Sequence, residues 1–191
     1  VDIERSRFRQ PSTHLTTFDA GRLIPIYLSE CLPGHSVTLN TASLVRMATP
    51  IFPVMDNCFL DIFYFYVPSR LLWEHWKEFN GENNQTYWTQ PTEYNVPQIW
   101  APSNGWNVGS IADYMGIPTD VAGDFSVSAL PFRAYVLCWN EFFRDQNYMG
   151  PAYFNKTDIG GDGKRAAAIS DTWDGIQTAL YCGTPLPVAK R

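Results

Sequence analysis

Residues 59–67 read Phe-Leu-Asp-Ile-Phe-Tyr-Phe-Tyr-Val, and no other stretch constrains the fold as strongly. Large apolar side chains fall on both faces, broken only by Asp61, which predicts a strand buried on both sides. Pro68 stops the run. The longest unbroken apolar stretch, residues 62–67, is far below the ~20 residues of a membrane helix. Residues 23–29 and 36–47 are also rich in β-branched and apolar side chains. Between them stands Leu32-Pro33-Gly34-His35, a turn signal, so this region predicts strand, turn, strand.

Helical patterns follow. Ser69 is placed to cap a helix over 70–79, with Leu72, Trp76 and Phe79 on one face and Glu74 and Lys77 as an i,i+3 ion pair. Ser110-Ile111-Ala112-Asp113 is a capping-box variant opening a short helix that Gly116 and Pro118 end. Another helix is expected from near Ser128, with Pro131 in its first turn, to about Asp145; its apolar face is Tyr135, Cys138 or Trp139, and Phe142. Residues 80–109 turn to Asn, Gln, Thr, Pro and Trp without a period and predict a long ordered loop. Loops beyond ~15 residues are uncommon unless they contact something. Residues 158–164 predict a flexible tip. Three strands and two clear helices leave edges uncovered, which marks these residues as the first part of a larger fold.

Composition narrows the function. The chain has 191 residues, 45% apolar and 15% aromatic, enough for one sizeable core and incompatible with wholesale disorder. Charged residues are 17%, against about 25% in an average soluble domain, the balance of a surface partly covered by partners. The formal charge of −5 argues against a surface that is all nucleic-acid footprint, while leaving room for a local basic arm. The first 18 residues suit such an arm. Arg5, Arg7 and Arg9 alternate along it, no acid lies between Arg5 and Phe18, and Phe8 and His14 can stack on bases. An ordinary solvated terminus has the same composition.

Cys31, Cys58, Cys138 and Cys182 contain no Cys-x-x-Cys pair, so they read as scattered buried thiols, with a disulfide pair as the alternative. Together with the polar start of the sequence, this predicts a soluble protein made in a reducing compartment. Signatures of catalysis are missing. Gly160-Gly161-Asp162-Gly163-Lys164 has Asp158 and Arg165 where a phosphate loop requires Gly and Ser or Thr, and a calcium loop fails at Ile169. Glu74-His75-Trp76-Lys77-Glu78 lacks the paired histidines of a zinc protease, which leaves His75 as a helix-surface histidine. The sequons at Asn84 and Asn155 read as chance. Trp88, Tyr94, Trp100 and Trp106 in the long loop fit an interface, a sugar-stacking surface, or packing of the loop on its own domain.

Longer motifs then bring a resemblance. Thr16-Thr17-Phe18-Asp19-Ala20-Gly21, Leu23-Ile24-Pro25-Ile26-Tyr27 and Ala48-Thr49-Pro50-Ile51-Phe52-Pro53-Val54-Met55-Asp56-Asn57 stand in order. Val67-Pro68-Ser69-Arg70-Leu71, Trp76-Lys77-Glu78-Phe79-Asn80-Gly81-Glu82 and Ile111-Ala112-Asp113-Tyr114-Met115-Gly116-Ile117-Pro118 follow. Pro131-Phe132-Arg133-Ala134-Tyr135 and Trp139-Asn140-Glu141-Phe142-Phe143-Arg144-Asp145 complete the series. With these motifs the chain resembles the major capsid proteins of the Microviridae, small single-stranded DNA phages, and most closely their gokushovirus branch.

The resemblance implies a mainly β fold, the eight-stranded antiparallel viral jelly roll, with long loops and short helical insertions. Residues 1–22 would be the N-terminal arm and residues 23–191 the first part of one jelly-roll domain that continues beyond 191. The implied role is structural, not enzymatic, and without cofactor or metal: copies form an icosahedral shell around a circular single-stranded DNA genome. Partners would be other copies, the remaining part of the same capsid protein, the genome, other virion proteins and a host-cell surface receptor, with no membrane insertion. The location would be the virion, assembled in the bacterial host cytoplasm. Charge places Arg5, Arg7 and Arg9 as candidates for the DNA phosphates, and Trp88, Tyr94, Trp100 and Trp106 are candidates for the subunit interface. A jelly-roll carbohydrate-binding module using Trp88, Trp100 and Trp106 as a platform is the alternative.

Overall fold

In the computed structural model the described residues are 5–158, without 84, 91, 120, 122–124, 153 and 154. The chain divides into two compact units, one of Val1–Leu28 with Val67–Arg191 and one of Ser29–Tyr66. Described secondary structure is low in helix and contains one small antiparallel sheet.

In the first unit a 3-10 turn spans Ser69–Leu71, and a single α-helical turn, α1, spans Trp76–Phe79. The continuous helix expected over 70–79 is broken between them. Trp73 N–H returns to Ser69 O at 3.1 Å, but Glu74 N–H instead donates to Lys156 O at 3.1 Å, outside any helix. Of the expected apolar face Leu72 is buried, but the break turns Trp73 inward beside it and leaves Trp76 half-buried and Phe79 exposed. Ser69 lies inside the 3-10 turn and caps nothing; Pro68 precedes it. The Glu74–Lys77 pair does not form, because Glu74 sits before the helical turn that would have aligned it.

Strand β1, Gln98–Trp100, pairs antiparallel with β2, Ser126–Ser128, in the register Gln98↔Ser128, Ile99↔Val127 and Trp100↔Ser126. The Ser126 hydroxyl donates to Gln98 Oε1 at 2.7 Å across the pair. Alternation buries Ile99 and turns Gln98 and Trp100 outward. The 80–109 stretch, read from sequence as loop, therefore contains a strand. At three residues it is too short for a period-2 pattern to register.

The short helix α2, Ile111–Tyr114, starts and stops as its residues dictate. Ser110 Oγ accepts from Asp113 N–H at 3.4 Å, and Asp113 Oδ2 accepts from Gly109 N–H at 2.7 Å, one residue before the position of an ideal capping box. Gly116 ends the turn at φ +85, where Ile117 N–H closes back on Ala112 O at 2.9 Å. Helix α3, Leu130–Cys138, begins after Ser128 with Pro131 in its first turn and passes into a π-helical turn, Trp139–Phe143. Widening of the last turn shifts the side-chain phase. The buried positions are Phe132, Arg133, Val136 and Trp139, whereas Phe142, expected in the core, is 67% exposed.

The core of this unit gathers Ile99, Trp106, Ile111, Ala112, Ala129 and Phe132. Trp106 stacks on Phe132 with ring centroids 5.9 Å apart. Gly105 permits the close approach beside it. At φ +77 its backbone favours glycine, and a Cβ there would stand 2.5 Å from Thr119 O.

The second unit holds the Leu32–His35 turn as expected, with Gly34 at φ +81 and His35 N–H donating to Leu32 O at 3.1 Å. The strands expected at 23–29, 36–47 and 59–67 are not observed: none of the three is paired in a ladder among the described residues. A strand exists only where a neighbour supplies its hydrogen bonds, and no described segment does so here. Phe63 and Phe65 share a face, their centroids 6.5 Å apart, as alternation requires. Phe59 is 86% exposed rather than buried. Cys31 and Cys58 are exposed free thiols and Cys138 is half-buried, so the four buried thiols are corrected for these three; Cys182 lies outside the described residues. The flexible tip expected at 158–164 also falls outside them, apart from Asp158.

Candidate functional site

Two tyrosines hold the N-terminal stretch. Tyr114 of α2 donates its hydroxyl to Thr17 O at 3.3 Å, and Tyr135 of α3 donates to Leu23 O at 2.9 Å. Burial pushes the Tyr135 phenol far above its ordinary pKa, so it remains a donor throughout the physiological range. Between these anchors the Ala20–Gly21 turn carries an Asp19–Arg22 ion pair at 3.2 Å. Residues 5–16 are exposed, including Arg5, Arg7, Arg9 and Phe8. The structure thus presents the three arginines on one exposed stretch. No sequence pattern announced the tyrosine anchors, because their partners lie 97 and 112 residues away.

The four loop aromatics separate. Trp88 is 96% exposed beside a turn in which Thr89 N–H donates to Thr86 O at 2.9 Å. Tyr94 and Trp100 line an open groove of about 800 Å³ together with Phe79, Glu93, Gln98 and Asp158. Trp106 is 9% exposed and belongs to the core. A stacking platform of Trp88, Trp100 and Trp106 is therefore not formed: Trp106 is spent on Phe132, and only Trp100 of the three lines the groove.

At one end of the groove Asp158 collects several partners. Its Oδ1 accepts from the Trp73 indole N–H at 2.6 Å and lies 2.8 Å from His75 Nδ1, while the His75 ring stacks on Tyr94 at 4.2 Å. His75, expected on a helix surface, stands just before α1 and hydrogen-bonds Asp158, forming an ion pair when its imidazole is protonated. Arg133, 3% exposed, donates to Leu72 O at 3.0 Å and to Thr157 O at 2.9 Å. Burial lowers its pKa, and the nearby Asp158 and Glu74 charges oppose that. The guanidinium stays charged in any case. Sequence reasoning missed Trp73, Arg133 and Asp158. Trp73 and Asp158 stand 85 residues apart, and Arg133 stands 61 and 24 residues from its partners Leu72 and Thr157, so no short motif links them.

Among the described residues no group of three or more His, Cys, Asp or Glu is placed to hold a metal ion, and no helix is long and apolar enough to cross a membrane. Asn155, one of the two sequon asparagines, turns its side-chain oxygen back to Thr157 N–H at 3.1 Å.

Residues 1–189 match the family described as Capsid protein (F protein). The chain is 42% identical over 158 residues to a protein named Capsid protein VP1 of Bdellovibrio phage phiMH2K, covering 83% of this chain and 29% of that protein. Proteins of the same name are 42% identical in Chlamydia phage 1, covering 76% of this chain and 25% of the relative, and 40% identical in Spiroplasma virus 4, covering 76% and 26%. The chain thus spans less than a third of the length of the relatives it matches.

Proposed function

Because the chain belongs to the phage capsid protein (F protein) family, we propose that it is part of a major capsid protein whose copies self-assemble into an icosahedral shell around a circular single-stranded DNA genome. The family match over residues 1–189 is the observation that carries this reading. The role is structural rather than catalytic. The fold it builds is the eight-stranded jelly roll, with residues 1–22 as an arm and residues 23–191 as the first part of a domain completed by further chain of the kind its longer relatives carry. Its location is the virion, after assembly in the host cytoplasm.

Exposed apolar surface supports assembly. Ile51, Met55 and Phe59 are 94%, 95% and 86% exposed, and covering such groups is favourable by about 25 cal/mol per Å². The remainder of the capsid protein and neighbouring copies supply that cover. Trp88 and Trp100, with Tyr94 in the groove, present aromatic area of the sort that anchors interfaces, whereas Trp106 belongs to the core. On the arm, Arg5, Arg7 and Arg9 meet genome phosphates. Other virion proteins and a host-cell surface receptor complete the partners.

Negative-stain electron microscopy of the purified full-length protein tests the reading. Uniform small icosahedral particles are expected; a stable monomer under all conditions overturns it. For the arm, replacing Arg5, Arg7 and Arg9 together by Ala lowers the DNA content per particle, and unchanged content refutes that assignment.

A further inference from the structure

Residues 156–158 are fastened to the 69–76 turn and to α3 by four contacts from separate directions. Glu74 N–H donates to Lys156 O at 3.1 Å, and Arg133 Nη2 donates to Thr157 O at 2.9 Å. Trp73 Nε1 donates to Asp158 Oδ1 at 2.6 Å, and His75 Nδ1 meets the same oxygen at 2.8 Å. Trp73 and Arg133 are buried at 0% and 3% exposure, so core packing fixes their side of the joint. The His75 and Asp158 side chains remain 29% and 41% exposed, open to exchange protons with solvent. The arrangement thus combines a rigid half with a titratable half, and it goes beyond the assembly role proposed above.

We propose that residues 156–158 form a proton-sensitive strap, in which protonated His75 locks Asp158 onto Trp73 and loss of that proton loosens the segment from the 69–76 turn. Imidazolium donates from both nitrogens, and a charge-assisted bond to carboxylate is roughly twice as strong as a neutral one. The Tyr94 ring stacked on His75 favours the cation as well. Glu74 and Glu78 on the same segment add to the negative potential at His75, and Glu93 lines the adjoining groove. Arg133 from α3 favours ionised Asp158.

The hydrogen bond to Asp158 raises the His75 pKa above its ordinary 6.5, against a smaller opposing effect of burial and with help from the Asp158, Glu74 and Glu78 charges. Burial would raise the Asp158 pKa, but the bonds from His75 and Trp73 and the charges of His75 and Arg133 together carry the net direction down. The strap is consequently tightest between the depressed Asp158 range and the raised His75 range, and it slackens on the alkaline side.

The Glu74 amide is the reporter, since its proton is protected only while Lys156 O accepts it. Hydrogen exchange at that amide in the full-length protein, divided by the intrinsic chemical rate, should show protection falling about threefold or more from about pH 6 to about pH 9. Asp158→Asn keeps an oxygen for the Trp73 indole while removing the charge, and His75→Gln removes the titration. Both variants should give a flat profile. A flat profile in the parent protein, or a slope that survives in either variant, overturns the strap.

Discussion

Arg133 reaches from the first half of α3 to the carbonyl of Leu72, 61 residues earlier, at 3.0 Å, with its side chain almost wholly buried. A second bond, to Thr157 O at 2.9 Å, ties the described end of the chain to the same guanidinium. One buried cation therefore joins three separate stretches. Its charge is compensated by carbonyl dipoles and by the nearby Asp158 and Glu74.

Replacing Arg133 by Met removes the charge and leaves both carbonyls without this donor. Buried hydrogen bonds to a charged group are worth about 1.5–3 kcal/mol each, and part of that is recovered by no longer burying an ion. The expected loss is about 3 kcal/mol of unfolding free energy by urea titration, and Arg133→Lys should recover less than half of it because one ammonium does not reproduce the fork.

Tyr135→Phe deletes the bond to Leu23 O while keeping the ring. Stability should fall by about 1 kcal/mol. The more telling readout is tryptic cleavage after Arg22, which should accelerate relative to the parent while cleavage after Arg7 and Arg9, in a stretch already exposed, stays unchanged.

Gly105 and Gly116 form a matched pair. Both have positive φ, +77 and +85, but a Cβ at Gly105 meets Thr119 O at 2.5 Å whereas Gly116 faces open space. Gly116→Ala should cost about 1–2 kcal/mol, the left-handed backbone penalty alone. Gly105→Ala adds a clash with backbone, so thermal unfolding should place it well below Gly116→Ala; equal midpoints would contradict the packing beside Trp106.

Asp158→Ala strips the Trp73 indole of its acceptor, and an unsatisfied buried donor costs about 1–3 kcal/mol. The penalty depends on pH with a definite sign. His75 has a raised folded-state pKa, so its share is complete below the ordinary histidine value and lost as pH rises through the folded one. Asp158 has a depressed one, so its share is present above the ordinary carboxylate value and lost as pH falls through the folded one. Melting curves of parent and variant should accordingly differ most between about pH 5 and about pH 6.5, narrow on the alkaline side to the Trp73–Asp158 bond alone, and converge only in acid as Asp158 protonates.

Local chemistry was readable wherever cause and effect lie within a few residues. Ser110 with Asp113, the Gly116 stop, Pro131 at the start of α3 and the Pro33-Gly34 turn all stand where their residues place them. The 70–79 helix was not, because Glu74 N–H finds Lys156 O, a partner no local rule can see. The face of α3 was legible at Trp139, which is buried as expected, but not at Phe142, which lies in the π-helical turn and is exposed. Family membership was legible because it rests on long ordered motifs, which survive independently of which contacts form.

Side-chain type and short spacing determined the Ser110 cap, the Leu32–His35 turn, the Gly116 stop and the basic character of residues 5–9, since each depends on steric and hydrogen-bonding preferences of neighbouring residues. Tertiary structure alone decided which aromatics face outward, separating Trp88 and Trp100 from Trp106, and brought Trp73, His75, Arg133 and Asp158 to one joint. The physical reason is that burial and pairing are properties of two surfaces at once. A sequence states what each surface offers, and only packing states which partner accepts it.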